Sequence, residues 1–415
     1  MRYLSLMEIS KKQDYIFKSN RLKENIGASF IIRYVSEILV DELAAKGMLP
    51  MFSKRNVVSQ GGGNGIYLFD TKGEAAHFHQ VVSSYVMRKF PGLELFCTLL
   101  EMDWETELVS GKVDKLYKQL AEKKSKRRTG FRQLSYGIHQ VCASTQLPAA
   151  GFVPDGDGQR AVSGEVLAKW ERALKSSQND YFTDVAPSDK RSFAHEVDEI
   201  VGKRELGDNS ESGDKSYLAV VHIDGNRMGE KFTAFKGYCV QMPNEEFQQF
   251  NERYVKEYSE FSLKVDSMYK KAFRGMCEVV QQTLDNSTLD STLHKFKQGN
   301  LPLRPLILAG DDITYIVNGY LGVESARIFL ECLQREQVTI GKLGTSNAVS
   351  FTMHACTGIA LVKAKYPFAR ANTLAEQLCK NAKTRILQDN EESGLDVDCS
   401  ALDFHIVSGE QSGSL

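Results

Sequence analysis

The chain has 415 residues, 42% hydrophobic and 25% charged, with 52 Lys plus Arg against 53 Asp plus Glu and a formal charge of −1. This is a globular composition long enough for two domains or more, and its charge balance argues against a strongly basic protein that coats nucleic acid, while leaving room for a local patch. The eight cysteines stand singly, "MRYLSLMEIS" does not read as a signal peptide, and no apolar run approaches about 18 residues; a reduced, cytoplasmic protein without a disulfide framework or membrane span is expected.

In chain order, "YLSLMEIS" (3–10) has the apolar rhythm of a half-buried strand, and a helical region follows it. "QGGGNGIYLF" (60–69) reads as a glycine-rich hairpin. Residues 116–215 differ in character. "EKKSKRR" (122–128) is a solvated charge run, "PDGDGQ" (154–159) and "LGDNSESGDKS" (206–216) are polar loops, and "GEVLAKWERALKSS" (164–177) is a short amphipathic helix. His139 and Cys142 in "HQVCASTQLPAAG" lack a second pair of ligands nearby, so structural zinc is not expected.

A second strand, "YLAVVHID" (217–224), leads into the glycine-flanked turn "GNRMGEKF" (225–232). Residues 244–284 contain no proline and repeat apolar residues at helical spacing, which predicts one or two long helices whose aromatic stripe is core. "LILAGDDITYIV" (306–317) is two buried strands around a Gly-Asp-Asp tip. Then come a helix over 323–336, a strand over 350–363 and a final helix over 371–387.

Strand, helix and glycine-rich hairpin therefore recur in the same order, which argues for a duplication. Three regions follow: a first domain over 1–115, a linker over 116–215, and a second domain over 216–408 with a helical insertion at about 240–300. Aligning the copies from their Tyr-Leu starts places Ser10 opposite Asp224, Gly63 opposite Asp311 and Asn64 opposite Asp312. Only the second copy then carries carboxylates at these positions.

Adjacent like charges at a hairpin tip repel unless a cation lies between them. If the strand ending in Asp224 neighbours that hairpin, three carboxylates meet at one sheet edge. Oxygen-only ligation suits two Mg2+ or Mn2+ ions, which take their remaining ligands from water and substrate phosphates. That is the requirement of two-metal phosphoryl or nucleotidyl transfer. Asp224, Asp311 and Asp312, with Ile223 beside the first, are the candidate metal ligands. Backbone N–H groups at Gly225, Asn226, Gly229 and Gly310 are candidates for holding a triphosphate. Lys383 could reach phosphates from the last helix; Arg385 could do so too, or simply complement the helix dipole. His222 reads as a structural histidine.

"HIDGNRMGEKF" together with "LILAGDDITYIV" resembles the active palm domain of the large subunit of type III CRISPR effector complexes, with Ala309 in place of the first glycine of that family's Gly-Gly-Asp-Asp motif. "LKENIGASFIIRYVSEIL" with "SQGGGNGIYLF" resembles the family's degenerate first palm, and "CASTQLPAAG" resembles its inter-palm zinc ribbon reduced to Cys142. The resemblance implies an α+β fold of two ferredoxin-like palms related to nucleotide cyclases. It also implies ATP as substrate, cyclic oligoadenylate and pyrophosphate as products, and Lys383 as a phosphate-contacting lysine. The family's N-terminal HD nuclease domain and its large helical C-terminal domain have no counterpart in the sequence, so a compact stand-alone relative or a trimmed effector subunit is expected.

On this reading Gly62, Gly63 and Asn64 of the first copy would hold a second nucleotide. Joining two ATP molecules needs the acceptor hydroxyl about 3–3.5 Å from the donor phosphorus, so both hairpins are expected to open on one pocket. CRISPR effector subunits or a second copy of the chain are the expected partners; direct nucleic-acid binding is left open. Two alternatives stay open: a non-catalytic nucleotide-sensing or scaffolding subunit, and an enzyme making another adenylylated or cyclic dinucleotide product.

Overall fold

The computed structural model describes residues 1–126, 137–178, 181–187, 191–202, 216–286, 293, 296–297, 299–341 and 349–408. Residues 206–215 of the polar loop read over 206–216, and residues 127–128 of the charge run, lie outside the described residues. The chain forms two compact units, one of Met1–Lys18, Glu24–Lys175 and Phe232–Leu263, the other of Ser19–Lys23, Ser176–Lys231 and Lys264–Leu415. It is a mixed α+β fold with several sheets. Among the described residues no helix is long and apolar enough to cross a membrane.

In the first unit, β1 (Arg2–Ser10), β2 (Val57–Gly61), β3 (Asn64–Phe69) and β4 (Glu94–Met102) form one sheet in the order β2-β3-β1-β4. All its pairings are antiparallel. The helix Lys72–Lys89 is started by Thr71, whose side chain accepts from the Glu74 N–H, and it buries Ala75, Phe78, Val82 and Val86 along one face. The helix Val109–Ser125 buries Val109, Val113, Leu116 and Leu120 at the same kind of spacing. The β2–β3 turn has positive φ at both Gly62 (62°) and Gly63 (89°), the backbone that a two-residue type I′ hairpin demands.

Residues read as a polar loop at 154–159 close a second hairpin, β5 (Gly151–Asp155) with β6 (Gly158–Val162). It is followed by the expected amphipathic helix, Gly164–Gln178. Cys142 packs there with Val153, Val162 and Val166 as a core thiol.

In the second unit the main sheet is built from β7 (Tyr217–Gly225), β8 (Leu303–Ala309), β9 (Asp312–Asn318), β12 (Ala355–Lys363) and β13 (Ala401–Ile406), in the order β13-β12-β7-β9-β8. β10 (Gln337–Ile340) and β11 (Val349–Thr352) form a separate antiparallel pair. β7, β9 and β12 are near-continuous buried apolar runs, so this sheet is covered on both faces. One element agrees with expectation and two differ. Residues 247–285 form one 39-residue helix, Phe247–Asp285, in line with the one or two helices expected from the spacing; its residues to Leu263 belong to the first unit and those from Lys264 to the second. The strand expected over 350–363 is broken at Met353–His354 into β11 and β12. A last strand, β13, pairs parallel with β12 after the closing helix Phe368–Ser393. That helix lies so close to β12 that a Cβ on Gly358 would stand 1.9 Å from the Ala375 carbonyl oxygen, so only glycine fits there.

The two units repeat one topology: strand, helices, hairpin, helix, strand, with the third strand inserted between the first and second. Even an irregularity is repeated. Val57 faces Tyr67 and Ser59 faces Ile66, leaving Val58 bulged; Pro305 faces Tyr315 and Ile307 faces Thr314, leaving Leu306 bulged. Hydrogen-bond register corrects one position of the sequence alignment. Asp224 faces Asp312, whereas Asn64 faces Glu8, so the counterpart of Asp224 is Glu8 and not Ser10. The first copy thus keeps one of the three carboxylates.

Candidate active site

β7 is the central strand of its sheet, flanked by β9 and β12. Its last acidic residue, Asp224, is directly opposite Asp312 on β9 and opposite Cys356 on β12. Residues directly opposite on antiparallel strands have Cβ atoms about 5 Å apart, so these two carboxylates are near neighbours. Gly310 and Asp311 form the two-residue turn between β8 and β9. Gly310 has φ +66° while Asp311 stays at negative φ, the pattern of a type II′ turn, and glycine at the first position permits it. The Gly225 N–H donates to the Asp311 carbonyl at 3.2 Å, tying the hairpin tip to the end of β7.

The crowding has an electrostatic signature. Burial first, and then the charge of Asp224, push the Asp311 carboxyl up from 3.8 to about 6; Asp312 adds to this, while a backbone hydrogen bond and Lys383 oppose it. Lys383, carried by the closing helix, donates to Asp224 Oδ2 at 2.6 Å and to the Gly225 carbonyl at 3.2 Å. In this arrangement, no three His, Cys, Asp or Glu side chains among the described residues converge on one metal position. The donor set nonetheless fits a hard divalent cation. The Lys383 ammonium bridges Asp224 Oδ2 and the Gly225 carbonyl oxygen, two hard oxygens of the kind a divalent cation takes, and Asp312 lies directly opposite Asp224.

The other predicted residues are distributed as follows. Ile223 is fully buried in the ladder between Ile313 and Thr357; the backbone oxygen beside the Asp224 carboxylate that Lys383 reaches is that of Gly225. The Gly225 and Asn226 N–H groups are committed within the fold, the first to Asp311 and the second to the His354 carbonyl at 2.9 Å. Gly229 lies in the first turn of the helix Met228–Tyr238, and Gly310 in the turn between β8 and β9. Arg227 sits at φ +52° and pairs with Asp396. His222 is buried and shares a hydrogen bond with Thr314 Oγ1 at 3.1 Å, with Nδ1 3.9 Å from Asp312 Oδ1. Arg385 pairs with Asp389 one turn along its own helix. In the first unit, Lys12 Nζ donates to the Gly62 carbonyl at 2.7 Å, and Lys124 pairs with Glu8.

Two residues at the site were not legible as such in the sequence. Lys231 is a buried cation, donating to the Asn226 carbonyl at 2.7 Å and paired with Asp398 at 3.2 Å. It sits two residues past a glycine in a turn where only the glycines attract notice. Tyr269, one member of the aromatic stripe on the long helix, turns its hydroxyl to Met228 Sδ at 3.9 Å. A Cβ on Gly225 would stand 2.3 Å from that hydroxyl and 2.7 Å from Asp311 Cβ. Burial foremost, then Asp311, Asp224 and Asp398, push the phenol well above its ordinary range, so it is a neutral donor beside an acidic cluster.

No family model matches the chain, and no curated protein matches it. Solved structures do. A Csm1-Csm4 cassette in complex with cA4 superposes with a TM-score of 0.53 at 14% sequence identity. A cassette in complex with one ATP does so with a TM-score of 0.53 at 14% identity, and the Csm1-Csm4 subcomplex of the type III-A CRISPR-Csm interference complex with 0.53 at 15%. Each match covers 92% of this chain and 53% of the other, so the chain spans about half the length of the proteins it resembles. At this identity the likeness concerns the fold.

Proposed function

We propose that the two units are ferredoxin-like palms and that the second is a metal-dependent nucleotidyltransferase. On this reading it joins ATP through 3′–5′ phosphodiester bonds into cyclic oligoadenylate, releases pyrophosphate, and serves antiviral defence of the CRISPR type. The observation that carries the reading is the placement of Asp224, Asp311 and Asp312 at one sheet edge, with the Lys383 ammonium on Asp224. Neighbouring carboxylates at a hairpin tip repel one another and are costly without a cation.

Asp224, Asp311 and Asp312, with the Gly225 carbonyl, would hold two Mg2+ or Mn2+ ions. When bound, these supply charge neutralisation at the phosphates and activation of the attacking hydroxyl. The chain's own residues do the rest. The type II′ turn fixes Asp311 and Asp312, and Tyr269 packed against Gly225 holds the end of β7 in register with that turn. Lys383 provides a mobile positive charge for the triphosphate. The first unit, in which Glu8 is matched by Lys124 and the hairpin carries Gly62, Gly63 and Asn64, would bind the acceptor nucleotide without metal chemistry. ATP, CRISPR effector subunits and self-association are the proposed partners, in line with neighbours that hold cA4, ATP or Csm4.

One observation favours a non-catalytic nucleotide sensor instead: Lys383 already fills part of the cation position. Incubating the purified protein with Mg2+ and each labelled nucleoside triphosphate, and resolving products by mass, separates the two. Cyclic oligoadenylate and pyrophosphate support the enzyme. Saturable nucleotide binding with no product overturns it in favour of the sensor.

A further inference from the structure

We propose that Lys383 is an internal counter-cation: in the metal-free second unit it occupies a divalent-cation position, and it must leave when metal binds. The inference rests on the metal-dependent reading above and adds to it a competition that nothing in that reading requires. The geometry is the first argument. Lys383 Nζ lies 2.6 Å from a carboxylate oxygen of Asp224 and 3.2 Å from the Gly225 carbonyl oxygen, two hard oxygens of the kind that hold Mg2+. The pair is accessible, with side-chain exposures of 32% for Lys383 and 44% for Asp224, so the ammonium can be exchanged without opening the core.

Charge decides which cation prevails. Asp224, Asp311 and Asp312 against one ammonium leave a net excess of two negative charges, which a monovalent cation cannot neutralise and a divalent one can. The first unit supplies an internal comparison. There Glu8, at the register position of Asp224, is paired with Lys124, while the positions of Asp311 and Asp312 are the neutral Gly63 and Asn64. One carboxylate against one ammonium is balanced, and nothing remains to draw a metal. The same lysine-on-carboxylate device is thus a permanent replacement in one copy and a displaceable one in the other. Displacement by metal frees the Lys383 ammonium for the phosphates that arrive with it, which couples metal binding to triphosphate binding.

The test is Mn2+ binding without nucleotide, followed by the paramagnetic signal of free Mn2+ and by calorimetry, on wild type, Lys383→Met and Lys383→Arg. Far-UV circular dichroism checks that each variant is folded. A partly exposed ammonium–carboxylate pair contributes enough for Lys383→Met to bind Mn2+ roughly fivefold tighter than wild type, with Lys383→Arg close to wild type. Binding of the ATP–Mn2+ complex should weaken in Lys383→Met, the opposite direction. Unchanged or weaker Mn2+ binding in folded Lys383→Met overturns the competition while leaving the metal reading standing. Absence of Mn2+ binding in all three proteins overturns both.

Discussion

Neutralising Asp311 should stabilise the metal-free protein at neutral pH. Its carboxyl is raised from 3.8 to about 6 by burial and by Asp224, with Asp312 adding to the effect. A rise of about two units corresponds to roughly 3 kcal/mol at 1.36 kcal/mol per unit, a ceiling because Asn still has to be buried. An expected gain for Asp311→Asn is therefore on the order of 1–3 kcal/mol at pH 7.5. In a domain of this size that is several degrees of melting temperature. The pH dependence follows from the direction of the shift. A carboxyl raised in the folded state binds its proton more tightly there than in the unfolded chain. Its favourable contribution is complete below about pH 4 and is lost as pH rises through about 6. Thermal melts in EDTA from pH 4.5 to 7.5 should show this component falling across that window in wild type and missing in Asp311→Asn. Added Mg2+ should then raise the wild-type melting temperature more than that of the variant. A variant less stable than wild type at pH 7.5 in EDTA, with the same pH profile, would refute the claim that the three carboxylates repel one another.

Other outcomes follow from the same geometry. Asp311→Asn combined with Asp312→Asn should abolish product formation while keeping the wild-type circular dichroism spectrum; full activity in the folded double variant would remove the catalytic assignment. Gly225→Ala puts a methyl 2.3 Å from the Tyr269 hydroxyl, so a loss of about 1–3 kcal/mol in denaturant unfolding is expected, partly restored by adding Tyr269→Phe. No rescue would mean that the Asp311 contact dominates. Lys231→Met removes the buried partner of Asp398 and of the Asn226 carbonyl, and should cost about 3–5 kcal/mol by the same measurement. A change under about 1 kcal/mol would show that the cation does not hold the turn.

Much of the architecture was legible because each copy writes it twice. The apolar runs flanking Gly62–Gly63 and Gly310–Asp311 announce both hairpins, and the helices at 164–177, 323–336 and 371–387 follow from spacing alone. Register was not legible. "YLSLMEIS" and "YLAVVHID" match best without a shift, yet the sheet sets Glu8 level with Asp224, because pairing is fixed by β3 and β9 rather than by the first strands themselves. The break at Met353–His354 escaped because the whole stretch 350–363 is uniformly strand-like, and β13 because "ALDFHI" offers only a short, half-exposed run. At the site, the three aspartates declared themselves by chemistry. Lys231 and Tyr269 did not, since their importance comes from atoms far away in sequence, Asp398 for one and Gly225 for the other.

The claim that the second hairpin holds the catalytic metals is tested most directly by crystals grown with Mn2+ and a non-hydrolysable ATP analogue, with the metals located by anomalous scattering. The account predicts manganese peaks against the carboxylates of Asp224, Asp311 and Asp312, with Lys383 moved off Asp224, and none against Glu8 and Asn64. Manganese at the first hairpin, or nucleotide bound with Lys383 still on Asp224 and no metal at these carboxylates, would contradict it.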